Sequence, residues 1–273
     1  MQSTVQPTRT AAVRELIGAR ELLRNLTVRE LKVRYKRSAL GFVWTLLNPL
    51  LMMAVFTLVF AAFFRSSGLE WFPIYFLSAY LPFAFFQASC QIATGSVVGN
   101  ANLVRKVYFP RAVLPVSVVL SQLVHLAMGL GVLLVAETVI YIGWDRTFDW
   151  WFYLPVLLFA TVLLAMFATG LSLLLAAANT FLRDIGEFTT VAFLLWFYAT
   201  PVIYPMTIAP PWVQTLLKLN PIYPFIAMYR SALYEMQLPG LPTVAYGVFW
   251  AVAMLAVGWA VFQRLSPRFA KEV

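Results

Sequence analysis

Three side chains within apolar stretches carry groups suited to catalysis: the Cys90 thiol, the His125 imidazole and the Glu137 carboxylate. A thiolate can attack as a nucleophile, an imidazole can act as a base and a carboxylate can carry a proton. With one Cys and one His, the chain has neither an internal disulfide nor a histidine metal cluster. The three positions form no recognisable catalytic set. A packed histidine is expected at 125. Glu137 is either a functional intramembrane group or, near its helix end, a carboxylate that reaches water. No Walker A motif occurs, because none of the five Lys follows a Gly, so the chain has no P-loop of its own for ATP.

The remaining candidates are cations. Asn100–Pro115 reads NANLVRKVYFPRAVLP. Leu103, Val107 and Tyr108 can form an apolar helix face beside Arg105 and Lys106, and Pro110 stops the helix. Such a helix is a plain connector or a docking element for a cytoplasmic protein. Ala11–Asn25 places Val13, Leu16, Ile17 and Leu23 on one stripe, with Arg14, Arg20 and Arg24 among the charges elsewhere. This predicts a helix lying in the membrane interface. The basic run Arg29–Arg37, which includes Arg34, Lys36 and Arg37, follows it. Setting orientation is sufficient to explain that run; binding anionic lipid headgroups and contacting a charged partner are the alternatives. Nucleic-acid binding is not expected, since no soluble domain presents a basic face.

These groups must be positioned by a membrane protein. Of 273 residues, 62% are hydrophobic and 11% charged, against about 45–50% and about 25% in a soluble domain. Mean hydropathy is +0.80. A soluble enzyme, a disordered chain and a disulfide scaffold are excluded on this balance. Six charge-free runs of 25 to 34 residues each suffice for one crossing of a core about 30 Å thick. Spans are expected near 41–64, 72–98, 113–142, 152–178, 188–205 and 242–263, with a cytoplasmic tail at 1–40 and another at 265–273. The long runs lack the alternation of a barrel wall. The first span begins too late and lacks the cleavage site of a signal peptide.

Six crossings put both termini on one side. Segments on that side carry 16 Lys and Arg and the opposite segments carry 4, which makes the first side cytoplasmic. Trp71, Trp144, Trp150, Trp151 and Trp212 then fall at the outer boundary. The stretch Thr200–Pro224 holds Pro201, Pro205, Pro210, Pro211, Pro221 and Pro224. Each proline removes a helix hydrogen bond, so one straight helix is excluded. Short broken helices dipping into the outer leaflet are expected; a proline-rich loop lying on the membrane is the plainer alternative.

Taken together, LTVRELKVRYKRSALGFVWTLLNPLLMMAVFTLVF (Leu26–Phe60), NANLVRKVYFPRAVLPVS (Asn100–Ser117), FLRDI (Phe181–Ile185), FYATPVIYP (Phe197–Pro205) and LNPIYPFIAMYR (Leu219–Arg230) resemble the permease subunits of ABC polysaccharide exporters, of the O-antigen, capsule and teichoic-acid type. The likeness runs in order over roughly residues 15–265. It implies an all-α integral membrane protein of the bacterial cytoplasmic membrane with six transmembrane helices. It also implies an N-terminal interface helix, a cytoplasmic coupling helix and re-entrant outer gate helices bearing the six prolines. Two permease copies would pair with two ATPase subunits that bind ATP and Mg, and this chain would hold no cofactor. Asn102, Leu103, Arg105, Lys106, Val107, Tyr108, Phe109 and Arg111 would form the ATPase-coupling segment. Arg14, Arg20, Arg24, Arg34, Lys36 and Arg37 would lie near the entry of a lipid-linked substrate. Phe56, Phe60, Phe63, Phe83, Phe86, Trp196, Tyr198 and Tyr204 are candidates for a sugar-lining aromatic belt; packing between helices or against lipid is the alternative for each. A drug or lipid exporter of the same architecture, and an ATP-independent channel or secondary transporter, are the competing functions.

Overall fold

The computed structural model describes residues 18–35, isolated positions between 43 and 59, and residues 71–143 and 150–273. Every regular element among them is helical. The helix α1 (Arg20–Tyr35) holds Leu23 of the expected interface stripe, whose Val13, Leu16 and Ile17 lie outside the described residues. Leu26 is its buried anchor, flanked by Leu22 and Leu23, and it packs against the long helix that opens at Val113. Next, α2 (Phe72–Thr94) starts with Pro73 in its first turn and carries Pro82 inside. It is apolar all round, as a helix surrounded by other helices must be, and packs against several of them. A 3-10 turn then leads into the six-residue α3 (Ala101–Lys106), bent 50° from α2.

The long helices follow: α4 (Val113–Gly143) and α5 (Trp150–Phe181). Then come the 14-residue α6 (Ile185–Tyr198), α7 (Pro211–Leu219), α8 (Tyr223–Leu233), α9 (Leu241–Leu265) and α10 (Phe269–Glu272). Among the described residues three helices are long and apolar enough to cross a membrane, and a fourth crossing results if the bent α2–α3 pair is one span. The span expected at 188–205 is a shorter helix ending at Tyr198, about 21 Å long at 1.5 Å per residue. The prolines that follow end it. The span expected at 41–64 falls largely outside the described residues.

The tightest packing joins α5 to α9. A Cβ on Gly258 would overlap the Gly170 carbonyl oxygen and lie 2.6 Å from its carbon. Lipid provides no hydrophobic drive between helices, so close backbone approach at small residues is a main source of association. Two apolar cores result. The larger one gathers Phe76, Phe86, Phe167, Phe225 and Tyr229 from α2, α5 and α8. The smaller one gathers Leu26, Val104, Phe109, Ala177, Phe262 and Phe269. It thus brings α1, the 98–112 loop, the foot of α5 and the C-terminal segment to one end of the bundle. These segments carry most of the positive charge, which makes this the basic end of the bundle.

Candidate functional site

At the basic end, the loop after α2 is fixed by short-range bonds. Ser96 Oγ donates to the Ala93 carbonyl at 2.7 Å, and Asn100 Nδ2 donates to the Ser96 carbonyl at 2.8 Å. Arg29 of α1 donates to Asn100 Oδ1 at 2.9 Å, tying the N-terminal helix to the loop. Val104 and Phe109 are buried beneath it, and Leu103 is partly buried. The apolar face expected from Leu103, Val107 and Tyr108 is therefore corrected. The helix ends at Lys106, Val107 is extended, and Val107 and Tyr108 point outward, with Tyr108 93% exposed. Asn102, Arg105 and Lys106 are exposed beside them. Arg111 is not a free docking cation: its guanidinium donates to the Ser266 carbonyl. Partial burial lowers its pKa from the ordinary value, opposed by Tyr108, and it remains a cation.

Arg20 and Arg24 lie exposed on α1. Arg34 falls on the same helix, while Arg14, Lys36 and Arg37 lie outside the described residues, as do Phe56, Phe60 and Phe63.

The opposite end holds a polar hub that sequence reasoning missed. The prolines sit at the breaks: Pro201 just after α6, Pro205 before a 3-10 turn, Pro210 and Pro211 opening α7, Pro221 between α7 and α8, and Pro224 in the first turn of α8. Breaking a helix leaves carbonyls without partners. Arg230, 8% exposed within α8, donates to the carbonyls of Pro201 at 2.8 Å and Val202 at 3.2 Å. Its guanidinium also stacks over the Tyr75 ring at 3.9 Å. Arg230 thus lies at the end away from the basic one, buried and not at the surface. Tyr75 of α2 in turn donates to the Tyr204 carbonyl at 2.9 Å. Asn220 receives the Trp196 indole N–H at 2.8 Å and the Ile222 N–H at 3.2 Å, and donates to the Ala199 carbonyl and Thr200 Oγ1. One signal was visible: a single cation inside the otherwise apolar Tyr223–Leu233.

The aromatic belt is corrected in part. Phe83 and Phe86 are fully buried, Phe83 edge-on to Phe197 and Phe86 against Phe167, Phe193 and Trp196. They fill the space between helices and offer no face to a channel. Trp196 is partly buried with its N–H already engaged, and the hydroxyl of Tyr204 donates to the Tyr198 carbonyl. Tyr198 is the member that stays 60% exposed.

Among the described residues no group of three His, Cys, Asp or Glu is arranged to hold a metal. Cys90 is buried and its thiol faces the Ala168 carbonyl and Ser172. His125 Nδ1 lies 2.8 Å from the Ser121 carbonyl, one turn back. Glu137 is fully buried, with no hydrogen-bond partner for either oxygen among the described residues, which speaks against the alternative that it reaches water.

The profile of the ABC-2 type transporter family matches residues 21–234. The chain belongs to that family. Relatives of this ABC-2 chain are similar from end to end. It is 34% identical to the O-antigen export system permease protein RfbA of Myxococcus xanthus, over 96% of this chain and 98% of the relative. It is 28% identical to the RfbA of Klebsiella pneumoniae, over 92% and 94%. The capsule polysaccharide export inner-membrane protein CtrC of Neisseria meningitidis serogroup B is 26% identical, over 94% and 93%. With several apolar helices of crossing length, this ABC-2 chain is a multi-pass membrane protein, and its kin are transport subunits rather than enzymes.

Proposed function

We propose that the chain is the membrane-spanning permease of an ATP-driven exporter. It moves a lipid-linked polysaccharide or oligosaccharide, such as O-antigen, teichoic acid or a similar surface glycan, across the cytoplasmic membrane. The end-to-end similarity to permeases named for O-antigen and capsule export carries this reading. Two copies form the membrane unit, and the exposed apolar stripe Phe188, Val191, Leu195 and Tyr198 on α6 is a face suited to contact between helices. Two separate ATPase subunits, which hold ATP and Mg, dock at the basic end. That supply is needed because this chain has no P-loop of its own.

Under this reading six spans cross the membrane, with both termini cytoplasmic, as the charge asymmetry favours. The basic end then offers Asn102, Arg105, Lys106, Val107 and Tyr108 to the ATPase, on a base of Val104 and Phe109. The α1 cations Arg20 and Arg24, with Arg14, Arg34, Lys36 and Arg37, stand where an anionic lipid pyrophosphate is first met. The helices α7 and α8 serve as the outer gate, with the six prolines at their breaks. ATP can drive opening only if the closed ATPase dimer binds the open permease more tightly than the closed one.

The test is co-expression with an adjacent ATPase reading frame, followed by pull-down and export assay in proteoliposomes. Charge reversal at Arg105 and Lys106 should lower ATP-dependent export of lipid-linked glycan by about tenfold or more, the scale of losing a few rim charge contacts. Membrane levels should not change. Full export by that variant would refute the docking role. Stimulation by drugs and not by glycan would move the substrate to the alternative class.

A further inference from the structure

We propose that the C-terminal segment 266–273, with Arg111, is the positioning element that locks the docking loop to the foot of α9, so that α9 delivers loop movement to the outer helices. The inference rests on the ATPase-driven reading above. The family match ends at residue 234, before α9 begins.

The docking loop is held from two sides. On one side, Arg29 of α1 bonds Asn100. On the other, the Arg111 guanidinium donates to the Ser266 carbonyl, at the point where α9 ends. Phe269 follows three residues later and is fully buried. Its ring stands edge-on to Phe262 of α9 at 5.2 Å and to Phe181 at the end of α5 at 6.0 Å. The short α10 that contains Phe269 packs on α3 itself. Phe262, Phe269, Val104 and Phe109 thus belong to one core. A close-packed core of this kind shifts as a unit and does not deform continuously.

Besides α4 and α5, whose residues enter both cores, two routes lead from this core to the outer end. Through α2 the path crosses a 50° bend and then the internal Pro82. A broken backbone joint absorbs displacement, because the hydrogen bonds that would transmit it are missing. Through α9 the path is 25 unbroken residues, about 37 Å, with proline only in the first turn. Along that path Gly258 meets the Gly170 backbone of α5 with no side chain between them. Further on, a Cβ on Gly247 would stand 3.0 Å from Met228 Cε and 3.8 Å from the Phe225 ring, both in α8. The same α8 carries Arg230. Energetic coupling needs contiguous packed contacts, and α9 supplies them from Phe269 to the neighbours of Arg230.

The experiment uses the complete permease–ATPase complex in proteoliposomes. Combining Phe269→Ala with Arg111→Gln should reduce export per ATP hydrolysed by about tenfold, within the range of measured coupling changes. ATPase co-purification should stay at the wild-type level. Phe269→Leu with Arg111→Lys should recover most of the loss. A second measurement does not depend on that variant folding. In a Cys90→Ser background, spin labels at the exposed Gly99 and Arg268 positions should keep one distance with and without ATP, because the loop and tail move together. A distance that changes with ATP, or unchanged export per ATP in the double variant, overturns the inference and leaves the export reading intact. A wild-type chain that brings down no ATPase and exports nothing sinks the export reading and this inference with it.

Discussion

At the basic end Val104, Phe109 and Phe269 point into the protein, while Arg105, Lys106 and Tyr108 point out. At the opposite end the order is reversed. Asn220 and Arg230 point in, while Trp212, Leu216 and Leu219 of α7 point out. Both ends must hold chain that is not a spanning helix. Where the surroundings are water, charges need no partner and apolar side chains form the plug. Where the surroundings are apolar, freed backbone carbonyls must be satisfied from within, and a buried guanidinium or amide does it. The basic end therefore keeps its polar groups available to a partner, and the other end has committed its own.

The change expected to disturb both ends most is Gly258→Leu. The new side chain would have to occupy the space of the Gly170 carbonyl, so α5 and α9 must separate. A cost above about 4 kcal/mol is expected, the range of severe backbone or packing conflicts. The check is loss of the monodisperse peak in detergent, and a well-folded Gly258→Leu protein would show that the crossing is not the shared frame.

Next comes Arg230→Leu, which acts on one end alone. The Pro201 and Val202 carbonyls lose their donor and Tyr75 loses its cation. Each buried group left unpaired costs about 1–3 kcal/mol, and a desolvated cation–π contact adds about 2 kcal/mol. Removing the buried charge itself offsets part of this, so a net loss of roughly 3 kcal/mol is expected, read as a lower melting temperature in detergent. An unchanged melting temperature would mean that the hub is ornamental. Asn220→Ala follows at about 2 kcal/mol, because the Trp196 and Ile222 N–H groups lose their acceptor.

The contrast between the ends also explains what could be read beforehand. Most Lys and Arg fall in the segments that the fold gathers at one end, so the basic end was visible as a count of Lys and Arg. Six prolines in one stretch marked the breaks between α6 and α8. The burial of Arg230 was not legible because it depends on carbonyls some thirty residues earlier in the chain, which only the fold brings within reach. Phe83 and Phe86 were misplaced because α2 is apolar on every side, so its pattern identifies no face. Arg111 looked like Arg105 and Lys106; only its contact with Ser266 separates it from them.

The smallest stability effect should come from the most exposed ring. Tyr108 is 93% exposed and follows a helix that has already ended, so Tyr108→Ser removes little packing. Its stability cost should stay within about 0.5 kcal/mol, as at other surface sites. An aromatic side chain left in water beside two cations is nevertheless a poor use of apolar area unless something covers it, and aromatics are over-represented at the centres of protein interfaces. The same variant should therefore weaken ATPase co-purification while its melting temperature holds. A drop in melting temperature comparable to that of Asn220→Ala would mean that Tyr108 supports the fold, and the opposition between an outward-facing and an inward-facing end would fail at its most exposed residue.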